Sequence, residues 1–281
     1  MLEDFKNFML QQDKSINTIN AYLKHVKDYS NWFTDSFGYE FTKLCRENVL
    51  DYRSYLLNVK KLNARSVNVV LAALIKLNEF LIENKRQEHQ VLFKKDYLKI
   101  QAEYASPAIA EKSDVEAFRQ KVLENESKRD YAIVTLLAYS GMRISEATNL
   151  KFTDLNLPAK EILVRYGKGH KQRLVIINDK VVNALKAYLN ERENYKNKDS
   201  EYVFVSRESG KITNTVINRI FNKYSDKITP HTLRHFFCSY AIECGWSVHE
   251  VASQAGHSNI HTTLIYTNPS RAEMKRKANL L

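Results

Sequence analysis

Glycine and proline are scarce, with seven and four residues in a chain of 281. That leaves little room for tight β turns and points to a helical protein. The three cysteines, Cys45, Cys238 and Cys244, are few, odd in number and form no CxxC pair. A disulfide scaffold is not expected, and a reducing cytoplasm fits the count. No run of about 18 apolar residues occurs, so no membrane-spanning helix and no membrane partner are expected. The start, Met1-Leu2-Glu3-Asp4, is acidic and lacks the basic and apolar regions of a signal peptide. The pattern GxxxxGK[ST] is missing, so ATP binding finds no support. What the chain has in excess is positive charge. Its 43 Lys and Arg against 32 Asp and Glu give a net charge of +11, which favours a polyanionic partner, most often nucleic acid. Hydrophobic residues at 44% and charged residues at 27% describe an ordinary soluble globular composition.

The length suggests two domains or one large one. Residues 15–33 read as an amphipathic helix with Ile16, Ile19, Leu23, Val26 and Phe33 on its stripe. A second helix is expected over 64–83, with Val67, Val70, Leu74, Leu77 and Leu81 on one face, and a third over 48–59. The segment 101–113 has small residues, Pro107 and no periodicity, and reads as a linker. It separates a helical domain, 1–104, from a second domain, 105–281. The first holds 16 basic and 13 acidic residues and the second 27 and 19, so most of the net charge, +8, sits in the second. The second domain opens with helices over about 114–124 and 128–139, and a further helix is expected to start at Arg143. The β signal is confined to Glu161–Tyr166 and Arg173–Ile177, two runs flanking Gly167-Lys168-Gly169-His170, which read as a hairpin with a basic tip. From about 180 onward the pattern is mainly helical. The expected fold class is therefore mainly α with a small β-hairpin.

Several residues could carry chemistry, though each has an ordinary alternative. Thr229-Pro230-His231-Thr232-Leu233-Arg234 is a helix start with an N-cap threonine and proline at the first helical position. It sets His231 and Arg234 on one face in the first turn, where free N–H groups favour an anion such as phosphate. A capped surface helix with incidental His and Arg is the alternative. Ser247-Val-His-Glu250 is a capping box whose helix ends at Gly256, followed directly by His257. A lone histidine in such a turn is more often structural or solvated. Arg143 and Lys168 can equally be solvated charges, and Tyr266 is one of 16 tyrosines, most of which pack or face solvent. The spacing of His231, His235 and Cys238 is compatible with zinc, but the intervening residues look like packing residues, and no metal site is expected.

The combination says more than its parts. The stretches TLLAYSGMRISEATNL around Arg143, GKGHKQRLVII around Lys168, TPHTLRHFFCSY around His231 and Arg234, and AGHSNIHTTLIYT from His257 to Tyr266 resemble the catalytic signature of the tyrosine recombinase, or phage-integrase-like, family. SINTINAYLKHV resembles that family's N-terminal core-binding domain, so the likeness covers essentially the whole chain. It implies a mostly helical catalytic domain and a site-specific recombinase that cuts and rejoins duplex DNA through a 3′-phosphotyrosine, without metal, ATP or other cofactor. It implies Tyr266 as nucleophile, Arg143, Arg234 and His257 as phosphate ligands, His231 as the group that accepts the tyrosine proton or holds it in line, and Lys168 as acid for the leaving 5′-oxygen. Glu146, one turn after Arg143, would orient an active-site basic group. Lys24, Lys27, Lys60, Lys61, Arg65, Lys76, Lys171 and Arg173 are candidate DNA contacts, and a solvated face is the alternative for each. The implied partners are double-stranded DNA with a specific core site and further copies of the chain, as a homotetramer on paired sites. The chain begins directly with the core-binding helices, which suggests the simpler Xer-like or transposon-encoded TnpI-type branch, acting in the bacterial cytoplasm. A type IB-like topoisomerase and a non-catalytic DNA-binding regulator remain as rivals. The target sequence, the outcome of recombination and any accessory proteins are not legible in the sequence.

Overall fold

A computed structural model describes residues 1–100, 110–165, 172–257, 261–264 and 279, with the backbone alone at 261 and 262. The chain forms two units, Met1–Glu103 and Tyr104–Leu281.

The first unit is built from α1 (Leu2–Gln11), α2 (Ile16–Phe37), α3 (Arg46–Asn58) and α4 (Ala64–Glu83). Ser15 caps α2 by accepting from the Thr18 amide, and Gly38, at φ +78°, ends it. The helix thus runs four residues past the end expected from its apolar stripe. Ile16, in its first turn, is exposed, because the stripe meets the core only from Ile19 onward. Asn63 caps α4 in the same way as Ser15 caps α2. Val67, Val70, Leu71, Leu74, Leu77 and Leu81 are buried against α1, α2 and α3. Each such side chain contributes about 1.5–3 kcal/mol when fully buried. Helix α1 has no counterpart in the sequence reading, yet it seats Phe5 and Phe8 on Phe80.

Of the candidate DNA contacts in this unit, Lys24, Lys27, Lys60, Lys61 and Arg65 are exposed. Lys76 is not. Its ammonium is held by Glu79 and by Gln12, 2.9 Å away, and its side chain is only 18% exposed. With its charge matched by Glu79, Lys76 has little left to offer a phosphate.

The second unit comprises α5 (Lys112–Asn125), α6 (Lys128–Ser140), α7 (Ile144–Thr148), β1 (Leu155–Asn156), β2 (Glu161–Val164), β3 (Arg173–Ile176), α8 (Asp179–Arg192), α9 (Asn214–Tyr224), α10 (Pro230–Glu243), α11 (Val248–Ala255) and α12 (His261–Leu264). Helix α5 begins inside the segment read as linker, because Asp114 accepts from the Glu111 amide and caps the helix early. Helix α6 is apolar nearly all round, and Ala132 through Ser140 are all buried. It is accordingly the central helix, packed against α5, α8 and α10. The three strands form one antiparallel sheet in the order β1-β2-β3, with Ile162 opposite Val175 and Val164 opposite Arg173. The short β1 was not legible in the sequence. The tip joining β2 to β3, residues 166–171, lies outside the described residues, and Lys168 and Lys171 with it.

Helix α6 stops at Gly141, which takes the left-handed conformation, φ +67°. A Cβ there would run into the Phe237 ring of α10. Gly141→Ala is expected to destabilise the protein by at least about 1–2 kcal/mol from the backbone alone, with the ring clash added. Thermal denaturation of the variant checks this: a drop no larger than the backbone cost would show that the ring moves aside freely, and an unchanged midpoint would overturn the expectation.

Candidate active site

Gly141 turns the chain so that Arg143 becomes the N-cap residue of α7. The Glu146 carboxylate reaches back and accepts from the Arg143 backbone N–H at 2.7 Å. The same carboxylate accepts from Nη1 of Arg143 at 3.0 Å, while Nη2 of Arg143 donates to the Gly256 carbonyl at 3.0 Å. Arg143 is thereby fixed from two sides and still keeps a side chain 30% exposed.

Glu146 is shared. Arg173, the first residue of β3, closes its guanidinium fork on both carboxylate oxygens, at 2.9 and 2.7 Å. Its Nε donates to the Gln254 carbonyl at 2.9 Å. This argues against Arg173 as a DNA contact: its side chain is 10% exposed, and Nε, Nη1 and Nη2 each donate to a protein acceptor. Burial alone would raise the Glu146 pKa, but the hydrogen bonds and charge of Arg173 outweigh it and hold the carboxyl below its ordinary value.

Helix α10 supplies the next groups. Thr229 caps it by accepting from the Thr232 amide at 3.1 Å, and Pro230 takes the first position. Arg234 points inward, is 6% exposed, and donates through Nη1 to the Gly141 carbonyl. Its Nη2 is buried and has no hydrogen-bond partner among the described residues. Burial first, and the neighbouring Arg143 second, push its pKa down to about 10. His231 and His235, one turn apart, face each other with their Nε2 atoms 2.8 Å apart. Burial first and then neighbouring positive charge lower both: His231 feels Arg234, and His235, pushed down to about 4, feels His231 and Arg234. Cys238 packs in a small apolar cluster with Phe237, Ala241, Val251 and Ala255, and burial pushes its thiol up to about 11.

The last group comes from α11. Ser247 and Glu250 form its capping box and Gly256, at φ +68°, ends it. A Cβ on Gly256 would meet the Arg173 guanidinium at 2.8 Å, so only glycine lets this turn lie against that side chain. His257 follows, with Nδ1 2.7 Å from the Thr263 hydroxyl. Burial, then Arg234 and Arg143, push its pKa down to about 4. Gln254, buried in the same helix, bonds the backbone of β3: its Oε1 accepts from Ile176 N at 3.0 Å and its Nε2 donates to Ile176 O at 2.7 Å. The fold thus gathers Arg143, Glu146, Arg173, Arg234 and His257 into one neighbourhood, with His231 and His235 at the edge formed by α10. Tyr266 lies outside the described residues. Sequence reasoning missed the tasks of Gln254 and Arg173, both of which depend on contacts between distant segments.

Two family profiles match the chain: the phage integrase family over residues 108–273, and the phage integrase N-terminal SAM-like domain over residues 1–88. The chain belongs to the phage integrase family. This integrase-family chain is 51% identical to the TnP I resolvase of Bacillus thuringiensis over 280 residues, covering 99% of both proteins. It is 30% identical to the tyrosine recombinase XerA of Thermococcus kodakarensis, covering 99% of this chain and 93% of that one. A crystal structure of XerA recombinase superposes with a TM-score of 0.55 at 26% identity, over 99% and 96% of the two chains. The Tn1549 transposon integrase in complex with transposon right end DNA shares the fold, with a TM-score of 0.74 at 18% identity over 99% of each chain. As a member of the phage integrase family the protein is an enzyme of the tyrosine recombinase type.

Proposed function

We propose that the protein cuts and rejoins duplex DNA at a specific site through a 3′-phosphotyrosine intermediate, with Tyr266 as nucleophile. The observation that carries this reading is the buried Nη2 of Arg234 beside Arg143, which has no hydrogen-bond partner among the described residues. A desolvated guanidinium edge with no acceptor suits an anion that the substrate brings, and a phosphodiester is such an anion.

The proposed chemistry gives each group a task. The Tyr266 hydroxyl oxygen bonds to phosphorus as the bond to the 5′-oxygen breaks. Negative charge grows on the non-bridging oxygens, where Arg143, Arg234 and His257 donate. His231, its pKa lowered by partial desolvation and then by Arg234, accepts the tyrosine proton. Lys168 gives a proton to the departing 5′-oxygen. The phosphotyrosine bond keeps the energy of the broken phosphodiester, so attack by another 5′-hydroxyl reverses the step without ATP. Four strands must be exchanged between two duplexes, and four active sites follow, hence a homotetramer on paired sites. The likeness to TnP I resolvase supports resolution of transposon cointegrates as the biological outcome.

The experiment is cleavage of a nicked suicide substrate carrying the recombination site sought in the DNA flanking the gene. A covalent protein–DNA adduct and joining of strands from two different duplexes are expected. Relaxation of supercoils without such joining would favour the topoisomerase alternative, and binding with no adduct the regulator. The acid is tested on the same substrate. Lys168→Ala should slow cleavage of normal DNA by about 10²–10⁴-fold, the range for a lost general acid. Sulfur at the bridging 5′ position should restore the rate, because a thiolate leaves without a proton. Rescue of Lys171→Ala in place of Lys168→Ala would move the acid three residues along the hairpin.

A further inference from the structure

Arg173 has no task in the mechanism above, yet it is the most completely engaged of the arginines at the site. Its fork takes both oxygens of Glu146 and its Nε takes the Gln254 carbonyl. Glu146 is also the group that holds Arg143, through the backbone N–H and through Nη1. The Glu146 side chain is 3% exposed, so water does little to screen its charge. The three groups together carry one net positive charge. Take Arg173 away and the carboxylate has Arg143 as its one guanidinium partner among these three. A buried ion pair left in that state draws together, and the guanidinium that must grip a phosphoryl oxygen is then held by a competing anion.

We propose that Arg173 is a positioning residue that neutralises Glu146, so that the carboxylate can fix the geometry of Arg143 without consuming its charge. The bidentate fork is suited to this: it meets both carboxylate oxygens at once and leaves Glu146 one bond to the Arg143 guanidinium besides the one to its backbone N–H. Because Arg173 opens β3, which follows the segment that carries Lys168, its Nε bond to the Gln254 carbonyl ties that strand to the end of α11, just before His257. The inference rests on the phosphoryl-transfer reading of the site.

The test compares Arg173→Gln, Arg173→Lys and the double variant Arg173→Gln/Glu146→Gln in the full-length protein. The readouts are adduct formation on the suicide substrate, DNA affinity and thermal midpoint. Arg173→Gln should slow adduct formation by roughly 100-fold, the scale of losing one transition-state donor, with DNA affinity little changed. The double variant buries no unmatched carboxylate and leaves Arg143 its charge, so it should regain roughly tenfold or more of that loss. Arg173→Lys, which keeps the charge and loses the fork, should fall between the wild type and Arg173→Gln. A role confined to scaffolding predicts a double variant as slow as, or slower than, the single one, and that result overturns the proposal. If Arg173→Gln does not fold, the double variant carries the test against the wild type, and a double variant that cleaves roughly 100-fold or more below the wild type overturns the proposal. An adduct formed by the wild type without recovery in the double variant sinks this inference alone. Absence of the wild-type adduct would instead sink the reading of the site.

Discussion

Replacing Tyr266 by Phe should abolish the covalent protein–DNA adduct while leaving folding and DNA binding nearly intact. The change removes one oxygen and no carbon, so packing is preserved. No other group in the proposed site is positioned by the family signature to attack phosphorus, and water attack would leave a nick without a protein bond. The effect is therefore the largest of any single substitution, a loss of the adduct to background. Denaturing gel analysis of a labelled suicide substrate reads it directly, and gel shift on the intact site confirms that binding survives. An adduct that persists in Tyr266→Phe moves the nucleophile to another residue.

Arg234→Ala should slow cleavage by at least about 100-fold, as losing a preorganised donor to a developing oxyanion does. Two features of this side chain argue for an effect at the upper end. It is 6% exposed, so its charge acts with little screening by water, and Nη1 is already anchored on the Gly141 carbonyl, which aims Nη2. Arg234→Lys should not restore the rate, because a single ammonium cannot hold the Gly141 carbonyl and meet the phosphate in the same planar geometry. Single-turnover adduct formation at saturating protein separates this loss from weaker binding. A lysine variant within a few-fold of the wild type would show that charge suffices and that the fork is dispensable.

Local signals in the sequence account for much of the architecture. The apolar repeat from Val67 to Leu81 and the Asn63 cap delimit α4, and Thr229-Pro230 and Ser247 with Glu250 mark the starts of α10 and α11. These work because capping and periodicity are decided within a turn or two of chain. Helix α1 was missed although Leu2, Phe5, Phe8 and Met9 recur at helical spacing, because ten residues give that repeat little length, and its burial against Phe80 is a tertiary fact. The same distinction separates the charged residues. Lys76 and Arg173 look like free cations in the sequence, and each is neutralised by a carboxylate, Glu79 in one case and Glu146 in the other. For Lys76 the partner sits three residues along the helix. For Arg173 it lies 27 residues away, and no local pattern announces it.

The amide of Gln254 meets Ile176 as the backbone of a neighbouring strand would, accepting from its N–H and donating to its carbonyl. Strand β3 is the outer strand of a three-stranded sheet, and its Leu174 and Ile176 are exposed apolar residues. Such an edge is a template for adding a strand from another chain, the usual start of sheet-to-sheet aggregation. One side chain from α11 occupies the hydrogen-bonding positions at Ile176 that an incoming strand would need. On the proposed reading, with several copies gathered on DNA, that hazard would be met at high local concentration. Gln254 therefore gives this edge of the sheet a blunt end at Ile176.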